Sequence, residues 1–134
     1  MPSGDCLCGK IGFEHFVEPA VTALCYCLDC QRWGGGGYSS NVAVSTTDFK
    51  ITKGVPKKFV RKGGSGLNHP HFFCGDCGTS LYSQPEAMAG TTLTKAGSLN
   101  DDASDISIKV EFFTKDRRNY GVPVQGARQL KTMN

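Results

Sequence analysis

The sequence predicts a mainly β fold: small antiparallel sheets stapled together by metal. Three observations carry that reading. Short runs alternate apolar and polar residues, 17 of 134 residues are glycine, and seven cysteines fall in three tight clusters. The clusters are Cys6-Leu-Cys8-Gly, Cys25-Tyr-Cys27-Leu-Asp-Cys30 and Cys74-Gly-Asp-Cys77-Gly. Thiols one or two residues apart converge several sulfurs on one soft cation, and seven is one short of two tetrahedral sets. A β-sandwich with incidental thiols gives no reason for such pairing.

Taken in order, residues 13–17 and 22–26 read as short strands. Residues 41–45, 49–53 and 106–112 alternate, and 58–61, 80–83 and 92–96 are further strands. Asp48 and the residues just after Cys27 open single helical turns. The glycines at 34–37 and the stretch 62–69 are loops, where backbone approaches a ligand closely or moves. No repeat or linker divides the chain, so residues 1–134 are expected to form one domain. The polar tail from about residue 122 is expected to be weakly ordered.

The bulk numbers exclude several classes. The net charge of +3 is mild, and the basic groups Lys57, Lys58, Arg61, Lys62 and Arg117, Arg118 are too sparse for a nucleic-acid face. They read as solvated surface, or as cations holding a small anion. There is no apolar run of about 18 residues to span a membrane. Met-Pro-Ser-Gly-Asp-Cys lacks the basic-then-apolar pattern of a secretory leader, so a cytoplasmic protein with reduced thiols is expected. The odd cysteine count also argues against a disulfide framework.

Strand residues two apart project from one face, so Cys6 and Cys8 can reach one ion. A Cys-x-x-Cys turn curls backbone around a metal, and Gly75 and Gly78 suit the positive φ angles expected there. Spacing alone permits two groupings. Cys6 and Cys8 can join Cys74 and Cys77, tying the N-terminus to the second half of the chain. Alternatively Cys25 and Cys27 join Cys74 and Cys77. In the first grouping Cys25, Cys27 and Cys30 need a fourth ligand from Asp29, His15, His69 or His71, or from water or substrate.

These motifs, Cys-x-Cys-Gly, then Cys-Tyr-Cys-x-x-Cys-Gln-Arg, then Phe-Cys-x-x-Cys-Gly-Thr-Ser-Leu, resemble the glutathione-dependent formaldehyde-activating enzyme family, also called the CENP-V/GFA domain. The resemblance runs from Cys6 to about Gln129. It includes Gly97-Ser-Leu-Asn-Asp and Val110-Glu-Phe-Phe-Thr-Lys-Asp, and is similar to fungal members in Cys-Tyr-Cys-Leu-Asp-Cys-Gln-Arg-Trp and His-Phe-Phe-Cys. It implies an Mss4-like β fold with two zinc ions. Cys6, Cys8, Cys74 and Cys77 would hold a structural zinc, and Cys25, Cys27 and Cys30 a catalytic one. The implied activity is a carbon–sulfur lyase reaction of the S-(hydroxymethyl)glutathione synthase kind, joining glutathione to a small carbonyl compound.

Other readings stand beside this one. One is a fold recruited to another sulfur adduct, as in secondary metabolism; the other is a zinc-stabilised binding module whose triplet a protein ligand completes. Three cysteinates around Zn2+ carry a formal charge of −1, and Arg32 and the backbone at 34–37 are the local candidates to offset it. Trp33 is a candidate pocket wall or core aromatic. Ser39 and Ser40 are candidate hydrogen-bond partners for a peptide-like ligand. Tyr26 and Tyr38 are expected to pack, Asp29 and Asp76 to form turns and caps, and His69 and His71 to be surface or hydrogen-bonding residues.

Overall fold

The computed structural model describes residues 2–15, 21–100 and 107–134. The expected strand positions Phe16, Val17 and Ile106, and Asp101 of the family-like motif, lie outside these residues. The fold is mainly β, with two sheets and one short α-helix. Among the described residues no helix is long and apolar enough to cross a membrane.

The smaller sheet has three antiparallel strands in the order β1 (Ser3–Asp5), β2 (Gly12–His15) and β5 (Phe49–Lys53). The larger sheet comprises β3 (Val21–Cys25), β4 (Ser39–Ser45), β6 (Lys57–Lys62), β7 (Asn68–Phe73), β8 (Ser80–Ser83), β9 (Thr91–Lys95), β10 (Val110–Phe112) and β11 (Arg128–Gln129). Its order is β11-β10-β3-β4-β9-β8-β7-β6. This sheet is larger than expected and mixed, because β10 runs parallel to both β3 and β11. Between β10 and β11 the long connection 113–127 brings the chain back in the same direction, which a tight hairpin cannot do.

Strand β7 begins inside the stretch expected as loop. The loop proper is shorter, closed by Gly63 N–H to Leu67 O at 3.0 Å and Gly66 N–H to Gly63 O at 3.0 Å. Its Asn-His-Pro start carries no strand signature, yet β6 pairs along its whole length, and the Pro70 carbonyl accepts from Gln84 N–H at 3.1 Å.

Alternation gives the large sheet two different faces. Val42, Val44, Tyr82 and Phe72 turn toward the small sheet, where Phe49 packs 4.6 Å from Tyr82 and 5.6 Å from Phe13, centroid to centroid. Cys6 and Cys74 are buried in this same core with Ile11 and Leu81. Register puts the other set on the opposite face: Cys25 is paired with Ser39, Asn41 with Lys95, Ser83 with His71, and Arg61 with His69.

That second face is covered by α1 (Leu28–Gly34), a seven-residue helix rather than the single turn expected. The Cys27 sulfur caps its start by accepting from Cys30 N–H at 3.3 Å. Gly35 ends it at φ 77°, a left-handed position that disfavours a side chain, with its N–H bonded to Gln31 O at 2.8 Å. Arg61 Nε to Asp29 Oδ2 at 3.2 Å ties the helix to β6.

Past Val122 the chain packs against β10. Glu111, fully buried, accepts from Tyr26 Oη at 2.5 Å, from Val124 N–H at 3.0 Å and from Gln129 Nε2, with Arg117 at 3.4 Å.

Candidate metal centres

Two groups of sulfurs converge. Cys6, Cys8, Cys74 and Cys77 form one, and Cys25, Cys27 and Cys30 the other; within each, all sulfurs lie within 4.8 Å of one another. The alternative grouping of Cys25 and Cys27 with Cys74 and Cys77 is not formed. Separations of 3.6 Å between Cys6 and Cys8 and 3.7 Å between Cys8 and Cys74 are far too long for a disulfide. They match a tetrahedron of Zn–S bonds, where about 2.3 Å per bond sets the sulfurs about 3.8 Å apart. The residues present fit such an ion.

The four-sulfur group is held by short local geometry at both ends. Ile11 N–H donates to Cys6 Sγ at 3.3 Å, and Cys77 N–H to Cys74 Sγ at 3.5 Å. Gly78 takes φ 78° in the turn, as expected, whereas Gly75 is not at positive φ. A Cβ at Gly75 would instead meet the Lys57 side chain at 2.8 Å. The Thr79 hydroxyl, 3.2 Å from Cys77 Sγ, pushes that thiol down to about 5. Asp76 pairs with Lys10 at 3.0 Å on the surface.

The three-sulfur group sits where β3 runs into α1. Cys25 ends the strand, and Cys27 and Cys30 straddle the first helical turn. Among the described residues, no histidine, aspartate or glutamate brings a ligand atom to within 4.8 Å of all three sulfurs. His15 lies on β2, in the other sheet. Asp29 is engaged with Arg61, and His69 and His71 stand nearby on β7 without joining the set. Cys25 and Cys27 stabilise Cys30 as the thiolate and push its pKa well down, with help from Lys95 and Ser39. Cys27 and Cys30 in turn push Cys25 up.

Around this group is a polar shell that the sequence marked only in part. Lys95 Nζ donates to Asn41 Oδ1 at 2.5 Å and sits 5.0 Å from the centre of the Trp33 ring. Burial lowers the Lys95 pKa, against the opposing pull of Cys30, Cys25 and Cys27. Lys95 is therefore the cation whose field reaches the triplet; Arg32, expected in that role, is exposed on α1. Asn41 Nδ2 also donates to Ser39 Oγ at 2.8 Å. Trp33 lies edge-on to His71 at 4.6 Å, and His71 stacks on His69 at 4.3 Å. Tyr26 packs as expected, edge-on to a half-exposed Tyr38 at 5.6 Å.

Residues 1–116 match the family described as glutathione-dependent formaldehyde-activating enzyme. The chain belongs to that family. A comparison with curated proteins finds no match. The fold resembles a crystal structure of a Rhodobacter sphaeroides protein, with a TM-score of 0.62 at 19% identity, over 79% of this chain and 96% of that one. Membership in the glutathione-dependent formaldehyde-activating family gives the two sulfur groups an enzymatic context.

Proposed function

We propose that the protein is a zinc-dependent carbon–sulfur lyase of the S-(hydroxymethyl)glutathione synthase kind. It joins a thiol, glutathione, to a small carbonyl compound. Cys6, Cys8, Cys74 and Cys77 hold a structural zinc, and Cys25, Cys27 and Cys30 hold a second, catalytic one. The observation that carries this reading is the unequal completeness of the two groups. The four-sulfur set is partly built into the core, whereas the three-sulfur set lies outside that core beside polar groups and gets no fourth protein ligand among the described residues. Structural zinc sites are closed and catalytic ones keep a position open.

A zinc ion bound there lowers the pKa of an incoming thiol and polarises a nearby carbonyl oxygen. The remaining work falls to the chain. Three cysteinates outweigh a divalent charge by one, and Lys95 supplies the compensating cation. Asn41 fixes the ammonium, and the Trp33 ring shields it from water, so its charge acts through a medium less polar than bulk solvent. His71 Nδ1 donates to the His69 carbonyl at 2.7 Å, which leaves its Nε2 unprotonated in the neutral ring.

The test is native mass spectrometry together with proton NMR of mixtures of glutathione and formaldehyde. Two metal ions per chain and faster formation of S-hydroxymethylglutathione than in buffer are expected. One ion per chain, or no acceleration, would remove the proposal.

A further inference from the structure

The family reading leaves His69 without a role, yet its Nε2 is buried and has no hydrogen-bond partner among the described residues. A buried polar atom without a partner is costly, and a catalytic role is one of the few reasons such a group is kept. His69 shares the sheet face of Cys25 and Lys95, and the charges of Cys30, Asp29 and Lys95 act on it. We propose that His69 Nε2–H is the hydrogen-bond donor to the carbonyl oxygen of the electrophile. This rests on the proposed thiol-plus-carbonyl reaction.

A donor fits better than a base. The charged groups around the ring are His71 on the same strand, Arg61 opposite on β6, Lys95 on β9, and Asp29 and Cys30 on α1. Burial first, then His71 and Lys95, push His69 down to about 4. At pH 7 a base with that pKa holds a proton only about one time in a thousand, whereas a neutral imidazole still offers its N–H. In the addition step the thiolate sulfur forms a bond to the carbonyl carbon and the C=O π pair moves onto oxygen. That oxygen takes the proton the thiol released to solvent. His69 bonds to the oxygen as its charge develops and keeps its own proton throughout. His71, stacked on the ring and bonded to its backbone, is a positioning residue.

Nitrogen NMR of the zinc-loaded protein tests this without relying on turnover. At pH 7 the His69 ring is expected to be neutral with its proton on Nε2, and that signal is expected to shift when glutathione and formaldehyde are added together. A cationic ring, the Nδ1–H tautomer, or an unmoved signal would overturn the assignment. Kinetics supply the second arm. His69→Leu should lower kcat about 100-fold, the usual effect of removing one such donor, with little change in KM for glutathione. His69→Gln, which keeps an N–H, should recover most of that loss. Wild type and His69→Gln should share one pH profile between pH 5 and 8. A limb lost in His69→Gln would make His69 a base and refute the donor role. If wild type does not accelerate the addition at all, the proposed function fails and this assignment falls with it. If wild type is active and His69→Leu is equally so, only the assignment fails.

Discussion

Lys95 lies with its ammonium 5.0 Å from the centre of the Trp33 ring, and α1 thereby closes over a cation beside three thiols. A lysine covered in this way gives up water, and the cysteine charge together with Asn41 replaces it. Lys95→Met keeps the stem's bulk and removes the charge. It should weaken metal retention at the triplet, or activity, by about 10- to 100-fold, the range for groups just behind the ligands. The four-sulfur site should stay loaded. Metal titration of both sites in the variant checks this, and equal affinity at the triplet would show that the cation is not needed.

Glu111 is a carboxylate with no exposure, held by Tyr26, Gln129, Val124 and Arg117. Burial pushes its pKa up, but these partners outweigh it and leave the group below its ordinary value. The unfolded chain therefore binds this proton more readily than the folded one. The resulting stability is present above the ordinary carboxylate pKa and is lost as pH falls through the lowered folded value. Glu111→Gln should cost about 1.5–3 kcal/mol at neutral pH, the worth of charge-assisted bonds. The gap to wild type should close at acid pH. Paired urea melts at neutral and acid pH would expose a constant gap, and a constant gap would mean that charge plays no part.

The metal chemistry was legible because ligand spacing is a local property: Cys-x-Cys and Cys-x-x-Cys converge whatever surrounds them. The polar shell around the triplet was not. Lys95 alternates with Thr94 like a solvent-facing residue, and only the placement of α1 makes that face interior. His69 reads as loop because Pro70 and the preceding Gly-Ser stretch hide β7. Glu111 likewise sits among alternating apolar residues as though it faced water, whereas the tail beyond Val122 covers it. In each case the deciding neighbour lies on another strand or helix, where no periodicity can register it. Arg32 was a reasonable charge partner by proximity along the chain, and helical geometry turned it outward.

Cys27 belongs to the triplet and also caps α1, so its substitution separates metal from fold. Cys27→Ala should remove about half the bound metal and abolish adduct formation. The cap lost with it costs about 1 kcal/mol, which lowers Tm by a few degrees. Circular dichroism and metal analysis on the same sample decide the matter. Wholesale unfolding would mean that the triplet, too, holds the domain together.

Cys77 should behave oppositely. Its sulfur joins Cys6 and Cys74, both buried in the core between the sheets, to the exposed Cys8. An ion there links β1 and the turn after β7, so its binding energy contributes directly to folding. In Cys77→Ala three thiolates remain around a weakened site, and two of them lie where water cannot solvate them. A loss of about 3 kcal/mol or more, roughly 10 °C in Tm for a chain of this size, is expected. Thermal melts with and without a chelator should show the variant matching chelated wild type. A Tm unchanged from the loaded wild type would mean that this sulfur group does not hold the fold, and the division of labour between the two groups would have to be abandoned.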